Sequence, residues 1–203
     1  MLNQKLDKDT EQQMKKSLKA INKLNESYSK EYTEAVDTVF RELEVHKVRL
    51  LNEDQLNDEQ KEFLTQFFYD KLNGSVNPIW LNEIDDLSTL EDNRIYLAVE
   101  KAEDDKKKKY AVVKVPDRVY GRWVKVPASE GFDNIMYLDD VIRYCLPLVF
   151  LGFKESTYRA FSFKFTKDAE MEMDNDADFG TMEKIALGVN SRKKGEAVRV
   201  IYD

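Results

Sequence analysis

No glycine or proline interrupts the first 73 residues of this 203-residue chain, and nothing else constrains its fold as strongly. Along that stretch Met14, Leu18, Ile21, Tyr28, Tyr32, Ala35 and Val39 recur at alternating spacings of four and three. Asn25 takes the one polar place in the seam, and Leu24, Val36, Phe40 and Leu43 widen it. This period lines up side chains on one face of a helix, predicted from Asp9 to Val45. Alone, such a helix leaves its stripe in water, so the stripe is expected to pack on another element, a further domain or a second subunit. Leu18, Ile21, Tyr28, Tyr32 and Val39 are the packing residues of this arm.

A second helix is announced by Asn57 and Gln60, at capping-box spacing before "KEFLTQFFYDKL", and is closed by Asn73-Gly74. Leu56, Phe63, Leu64, Phe67, Phe68 and Leu72 form its apolar face. The expected fold class is α+β. An antiparallel helical hairpin over residues 1–75 precedes a body over residues 76–203, a mostly antiparallel sheet with short helices on one side.

In the body the period changes to alternation. "RIYLAVEKA" and "KYAVVKVP" read as a hairpin around the charged turn "EDDKKKK", and "GRWVKVP", "YRAFSFKFT" and "GEAVRVIY" as further strands. Pro116 and Pro127 are expected to close strands rather than sit inside them. "DDVIRYCLPLVF" reads as a helix with acidic residues at its positive end, and residues 182–190 as a short one.

A net charge of −7 speaks against a nucleic-acid partner. The single cysteine, Cys145, lies in an apolar run and reads as a buried structural thiol; no intrachain disulfide or multi-cysteine zinc site can form. His46, the single histidine, fits as a cation near a helix C-terminus. No stretch of about 18 apolar residues is present, and the N-terminus is too polar for a signal peptide, so a cytoplasmic location is expected. "MEMDNDADFGTMEKI" imitates a calcium loop. Counted from Asp174, however, the glycine comes one residue late and Ile185 stands where the bidentate glutamate belongs. No metal is expected, and Asp178 serves better as a helix cap. There is no phosphate-cradling glycine loop, serine–histidine pairing or paired-carboxylate spacing.

One strand carries a clearer chemical suggestion. Phe161, Phe163 and Phe165 alternate with Ser162, Lys164 and Thr166, and the phenylalanines are expected to face the core. Lys164, Lys167 and Arg199, with Lys114 and Lys125, would then gather on the other side, where lysine can meet phosphate as a mobile point charge. The same residues also suit an ordinary solvated strand face.

The stretch "YRAFSFKFTKDAEMEMDNDAD" is similar to the F-R-x-T-R-D-A-D-x-E-x-D segment of bacterial polyphosphate kinases. "RKKGEAVRV" resembles that family's R-R-x-G-x-A-V-R-L, "YLDDVIRYCLPLVFLGF" its L-E-D-V-I segment, and "YAVVKVPDRVYGRWVKVP" its strand–Val-Pro–strand pattern. "LEVHKVRLL" resembles its L-x-x-H-G-I-R-L stretch. These fall in the right order over most of residues 10–203. Lys164 and Lys167 replace the family's two arginines and Glu170 an aspartate, while its L-T-P-L and H-P-F-P-F segments have no counterpart in residues 77–97.

The resemblance implies the middle, or head, domain of an enzyme that moves the ATP terminal phosphate reversibly onto polyphosphate. The nucleotide, magnesium and phospho-acceptor histidine are then the business of other domains. This domain binds no cofactor itself, His46 does not inherit the acceptor role, and the isolated chain is expected to be inactive. Its partners would be the remaining domains of the same kinase, a second copy in a homodimer, and polyphosphate through Lys164, Lys167 and Arg199. The whole enzyme could associate peripherally with a membrane. The alternative is a stand-alone interaction module working through the helical arm.

Overall fold

The computed structural model describes residues 8–84, 90–103, 107–150, 156–167 and 197–203. The chain divides into two compact units, Met1–Arg49 with Glu130–Phe132, and Leu50–Ser129 with Asp133–Asp203.

The first unit is dominated by α1, Lys8–Val45, within a residue of its predicted start and with no side chain buried. It ends where Lys47 takes a positive φ of 61° and its N–H donates to the Glu44 carbonyl at 3.0 Å. His46 occupies the turn just beyond the helix, as the sequence placed it. Arg49 closes this unit. Its guanidinium lies 3.8 Å from the centre of the Phe132 ring, and Nη1 donates to Glu130 at 3.1 Å.

The second unit contains α2 (Asp58–Phe67), α3 (Asp117–Tyr120), α4 (Leu138–Tyr144) and α5 (Leu146–Val149). Two sheets accompany them. One has the order β1-β6-β5, from Val48–Leu51, Phe132–Tyr137 and Trp123–Ser129. The other has the order β2-β4-β3-β7-β8, from Pro78–Trp80, Lys108–Lys114, Ile95–Ala102, Thr157–Lys167 and Ala197–Tyr202. All four pairings of the five-stranded sheet are antiparallel, in keeping with the α+β class. The core is built from Leu64, Phe68 and Leu72, Leu97 and Val99, Val113 and Val115, Val124 and Val126, Met136, and Val141 with Ile142.

The predicted capping box is present. Asn57 Oδ1 accepts from the Gln60 N–H at 2.9 Å, and Gln60 Oε1 accepts from the Asn57 N–H at 3.1 Å. Beyond Phe67 the helix widens into a π turn over Phe68–Leu72 and stops at Gly74, whose φ of 84° suits a residue without a Cβ. The hairpin expected over residues 1–75 is shared out differently. Leu64, Phe68 and Leu72 belong to the core beneath the sheets, and the division falls at Arg49/Leu50 rather than at residue 75.

Three other expectations are corrected. Pro127 sits inside β5, which tolerates it because β5 is the edge of its sheet and lacks a ladder partner on one side. "DDVIRYCLPLVF" is two helices, broken at Cys145 because Pro147 brings no N–H to continue the ladder. Third, the faces of β7 are reversed. Ser162 lies opposite Leu97 and Ala160 opposite Val99, so the Ser162 and Lys164 side faces the main core. Phe163 lies opposite Tyr96 and Phe161 opposite Ala98, on the outer face. There Leu90, Tyr96, Val112 and Phe165 form a smaller cluster, while Phe161 is 47% exposed.

Candidate functional site

Among the described residues of the second unit, a connected group of ionisable side chains lies between α4 and the β7–β8 pair. α4 begins "LDDVIRY", which brings Asp139, Asp140 and Arg143 to its buried side and first turn. Arg143 Nη1 donates to Asp140 Oδ1 at 2.9 Å, and Nη2 donates to Ser162 Oγ at 2.7 Å and to the Asp203 carboxylate. Ser162 Oγ donates to Asp139 Oδ2 at 2.9 Å, while the Ser162 N–H donates to Asp203 Oδ1 at 2.6 Å. Arg122 Nη2 lies 3.3 Å from Oδ1 and 3.4 Å from Oδ2 of Asp139.

Asp139 and Asp140 are both buried. Burial, reinforced by the negative charge of Asp139, pushes the Asp140 carboxyl up to about 7 against the pull of Arg143. Arg122 Nη1, Arg143 Nε and Tyr158 Oη are buried without a hydrogen-bond partner among the described residues. The carboxylates are held by the guanidinium groups of Arg122 and Arg143 and by the Ser162 hydroxyl, which makes the cluster a clamp joining helix to sheet. In the sequence the two aspartates signal only a helix N-terminus. The i,i+3 spacing of Asp140 and Arg143 is the available hint.

The predicted polyphosphate residues are divided by β7. Lys164 is half-buried on the main-core side, and Arg199, exposed, shares that side because it lies opposite Thr166. Lys167, three residues on from Lys164, falls by alternation on the opposite face, the side of Phe165, where the register also shifts between Thr166 and Lys167. Its ammonium group lies 5.9 Å from the Phe165 ring centre, its N–H donates to Asp92 Oδ1 at 2.8 Å, and it is 5% exposed. Lys114 and Lys125 do not join them. Lys114 lies opposite Tyr96 on the outer face and pairs with Glu91, and Lys125 belongs to the three-stranded sheet, 2.8 Å from Asp133. The Lys114 hydrogen bond holds the Glu91 carboxyl below its usual value.

The hairpin lysines are engaged as well. Lys108 lies 3.1 Å from Glu100 and Lys101 3.0 Å from Glu103. Trp80, Leu81, Lys109 and Tyr110 line a shallow cleft of about 630 Å³ at this end of the sheet. Cys145 is buried, as the apolar run implied; burial pushes its thiol up to about 12, and Sγ approaches the Leu64 carbonyl at 3.8 Å. The calcium-like stretch, the short helix at 182–190 and Arg192, Lys193 and Lys194 lie outside the described residues. Among the described residues no helix is long and apolar enough to cross a membrane.

On α1, within the first unit, every expected packing residue is exposed. Leu18, Ile21, Tyr28, Tyr32 and Val39 range from 54 to 72%.

The sequence profile of the polyphosphate kinase middle domain matches residues 59–203. A polyphosphate kinase of Vibrio parahaemolyticus is 34% identical over 185 residues, 89% of this chain and 26% of the relative. That of Escherichia coli is 32% identical over 165 residues, 79% of this chain and 24% of the relative. The crystal structure of polyphosphate kinase from Porphyromonas gingivalis shares the fold, with a TM-score of 0.59 at 24% identity over 79% of this chain and 26% of that one. The chain thus spans about a quarter of the length of these relatives.

Proposed function

The chain belongs to the polyphosphate kinase family, as its middle domain, and from that premise we propose that it is the non-catalytic head of an enzyme transferring the ATP terminal phosphate reversibly to polyphosphate. Its work is to pair subunits and to position catalytic domains that supply the nucleotide site, the magnesium and the phospho-acceptor. The observation that carries this reading is the contrast between its two kinds of surface. The ionisable groups around α4 are tied to one another at 2.6–3.4 Å, whereas the whole seam of α1 stands open to a partner. The longer enzyme would work in the cytoplasm, with peripheral association at the membrane surface.

Polyphosphate is the second partner. Lys164 and Arg199 form the contact surface, and Lys167 adds positive potential from behind Phe165. Such a contact depends on charge and weakens with salt, because each phosphate neutralised releases counterions. Labelled polyphosphate titrated into the chain at low and moderate salt tests it, alongside Lys164→Glu with Arg199→Glu. Salt-sensitive binding that the double variant loses supports a head lying on the polymer's path. No binding at low salt removes polyphosphate from its partners and leaves the scaffold alone.

The open seam also suits a second reading, a stand-alone module that uses α1 to bind a different protein. Assembly of the chain with itself, in the absence of any other protein, counts against that reading.

A further inference from the structure

β4 runs past the end of one of its neighbours. β2 pairs with it over three residues and stops at Trp80, opposite Ala111, whereas β3 pairs with it as far as Lys108, opposite Ala102. Beyond Trp80 the chain turns into a short 3₁₀ helix, Leu81–Glu83, where the Leu81 carbonyl accepts from the Ile84 N–H at 3.3 Å. Lys108, Lys109 and Tyr110 therefore have a strand on one side and, among the described residues, none on the other. The gap is the cleft of about 630 Å³, with these three on one wall and Trp80, Leu81 and Asn82 on the other.

Backbone direction makes this gap a place for a strand. At the hairpin end the Glu103 N–H donates to the Lys107 carbonyl at 3.2 Å, so residues 107 and 109 of β4 direct their backbone groups at β3. In an antiparallel ladder the residues between them face the other way. Lys108 and Tyr110 thus turn their N–H and C=O groups to the β2 side, and Lys108 does so beyond the last β2 pair.

We propose that this cleft receives an extended acidic segment of a partner protein, which adds as a strand beside Lys108–Tyr110. The site lies at the opposite end of β3 from Lys164, which pairs with Ile95, so it stands apart from the polyphosphate contact.

Charge selects the guest. Lys107, Lys108 and Lys109 follow one another along this edge. The carboxylate that meets Lys108 at 3.1 Å, Glu100, stands on β3, on the far side of β4 from the cleft. A carboxylate on the guest continues the order acid, base, acid across three strands. A second copy of the same edge would set lysine against lysine, which keeps the edge from pairing with itself.

Apolar contact comes from Trp80, whose ring centre lies 5.3 Å from that of Phe150, and from Leu81 and Tyr110, 47% and 48% exposed. By alternation Lys108 and Trp80 lie on opposite faces of the sheet. A guest that alternates acidic with apolar residues meets Lys108 on one face and Trp80 on the other.

The test titrates the whole chain into a fluorescein-labelled peptide of alternating glutamate and valine and follows anisotropy at low and moderate salt. Binding that weakens as salt rises is expected. The same peptide N-methylated throughout keeps its side chains but loses its backbone donors, and should bind at least about tenfold more weakly. Exchanging its glutamates for lysines should abolish binding.

On the protein, Lys108→Gln removes the charge and should weaken binding about threefold. Lys108→Pro also removes the N–H that faces the cleft, leaves the bonds of residues 107 and 109 to β3 in place, and should weaken it further. Thermal melts of both variants should match the parent's; the N-methylated peptide gives the answer even where a variant fails to fold. An N-methylated peptide that binds as tightly as the unmodified one overturns strand addition. No binding at low salt, or equal binding of the lysine peptide, overturns the proposal as a whole.

Discussion

Asp140 and Arg143 form an ion pair of 2.9 Å one turn apart on α4, with the aspartate almost entirely out of water. Arg143 also holds Asp203 at the end of β8, so one guanidinium fastens the helix to the edge of the sheet. The pairing does not compensate Asp140 fully, because Asp139 lies beside it and burial opposes its charge.

A pH dependence follows. Folded, Asp140 keeps its proton up to about pH 7; its ordinary value is 3.8. Between these values the folded chain binds the extra proton. The stability this group contributes is therefore fully present below 3.8, declines as pH rises, and is gone above about 7. Asp140→Asn should flatten the decline between pH 5 and 8, by on the order of 1–3 kcal/mol. Denaturant melts at a series of pH values would show it. Glu91 acts in the opposite direction, since its carboxyl is held below 4.5 by Lys114 and its contribution is lost as pH falls. The acid limb of the profile should therefore survive in the variant.

Gln60 predicts a different cost. It completes the capping box of α2 and, 1% exposed, also donates from Nε2 to the Pro127 carbonyl at 2.9 Å. Gln60→Ala leaves the Asn57 N–H and part of the Pro127 carbonyl's bonding unmet and should cost about 1–3 kcal/mol. Urea unfolding with an unchanged m-value is the expected result. A loss below about 0.5 kcal/mol, within the range of ordinary surface changes, would mean that the bridge from α2 to β5 is dispensable.

The core and the arm should respond in opposite ways. Leu64, fully buried among Phe68, Val126 and Ile142, should cost about 2–5 kcal/mol as Leu64→Ala. Leu18→Ala, at a 58% exposed position, should change the stability of the monomeric chain by less than about 0.5 kcal/mol. Thermal melts at concentrations where the chain is monomeric compare them. Equal losses would mean that the arm's stripe is already packed.

Much of the fold was legible where one period ran without interruption. The seam of α1, the Asn57–Gln60 cap and the alternation of β3, β4 and β7 all depend on local spacing alone. β6, missed in the sequence, breaks its alternation with a polar residue at a core position. Asn134 is fully buried there because Nδ2 reaches the Pro127 carbonyl at 3.1 Å and Ser129 Oγ at 2.9 Å. β1 and β2 are only four and three residues long, too short to show a period.

The site was harder to read for a related reason. Alternation tells which residues of β7 share a face but not which face meets the main core, and here both faces carry apolar clusters. Lys164 and Lys167, three residues apart on β7, fall on opposite faces by the same alternation, although they stand close together in the sequence. The clamp around Arg143 joins residues from four segments far apart in sequence, which no local pattern reveals.

The central claim is that this head domain pairs with itself through α1. Sedimentation velocity of the whole chain over a range of concentrations, beside Leu18→Asp with Ile21→Asp, tests it most directly. The account predicts a dimer for the parent and a folded monomer for the double variant. A parent that stays monomeric, or a variant that stays dimeric, would contradict it.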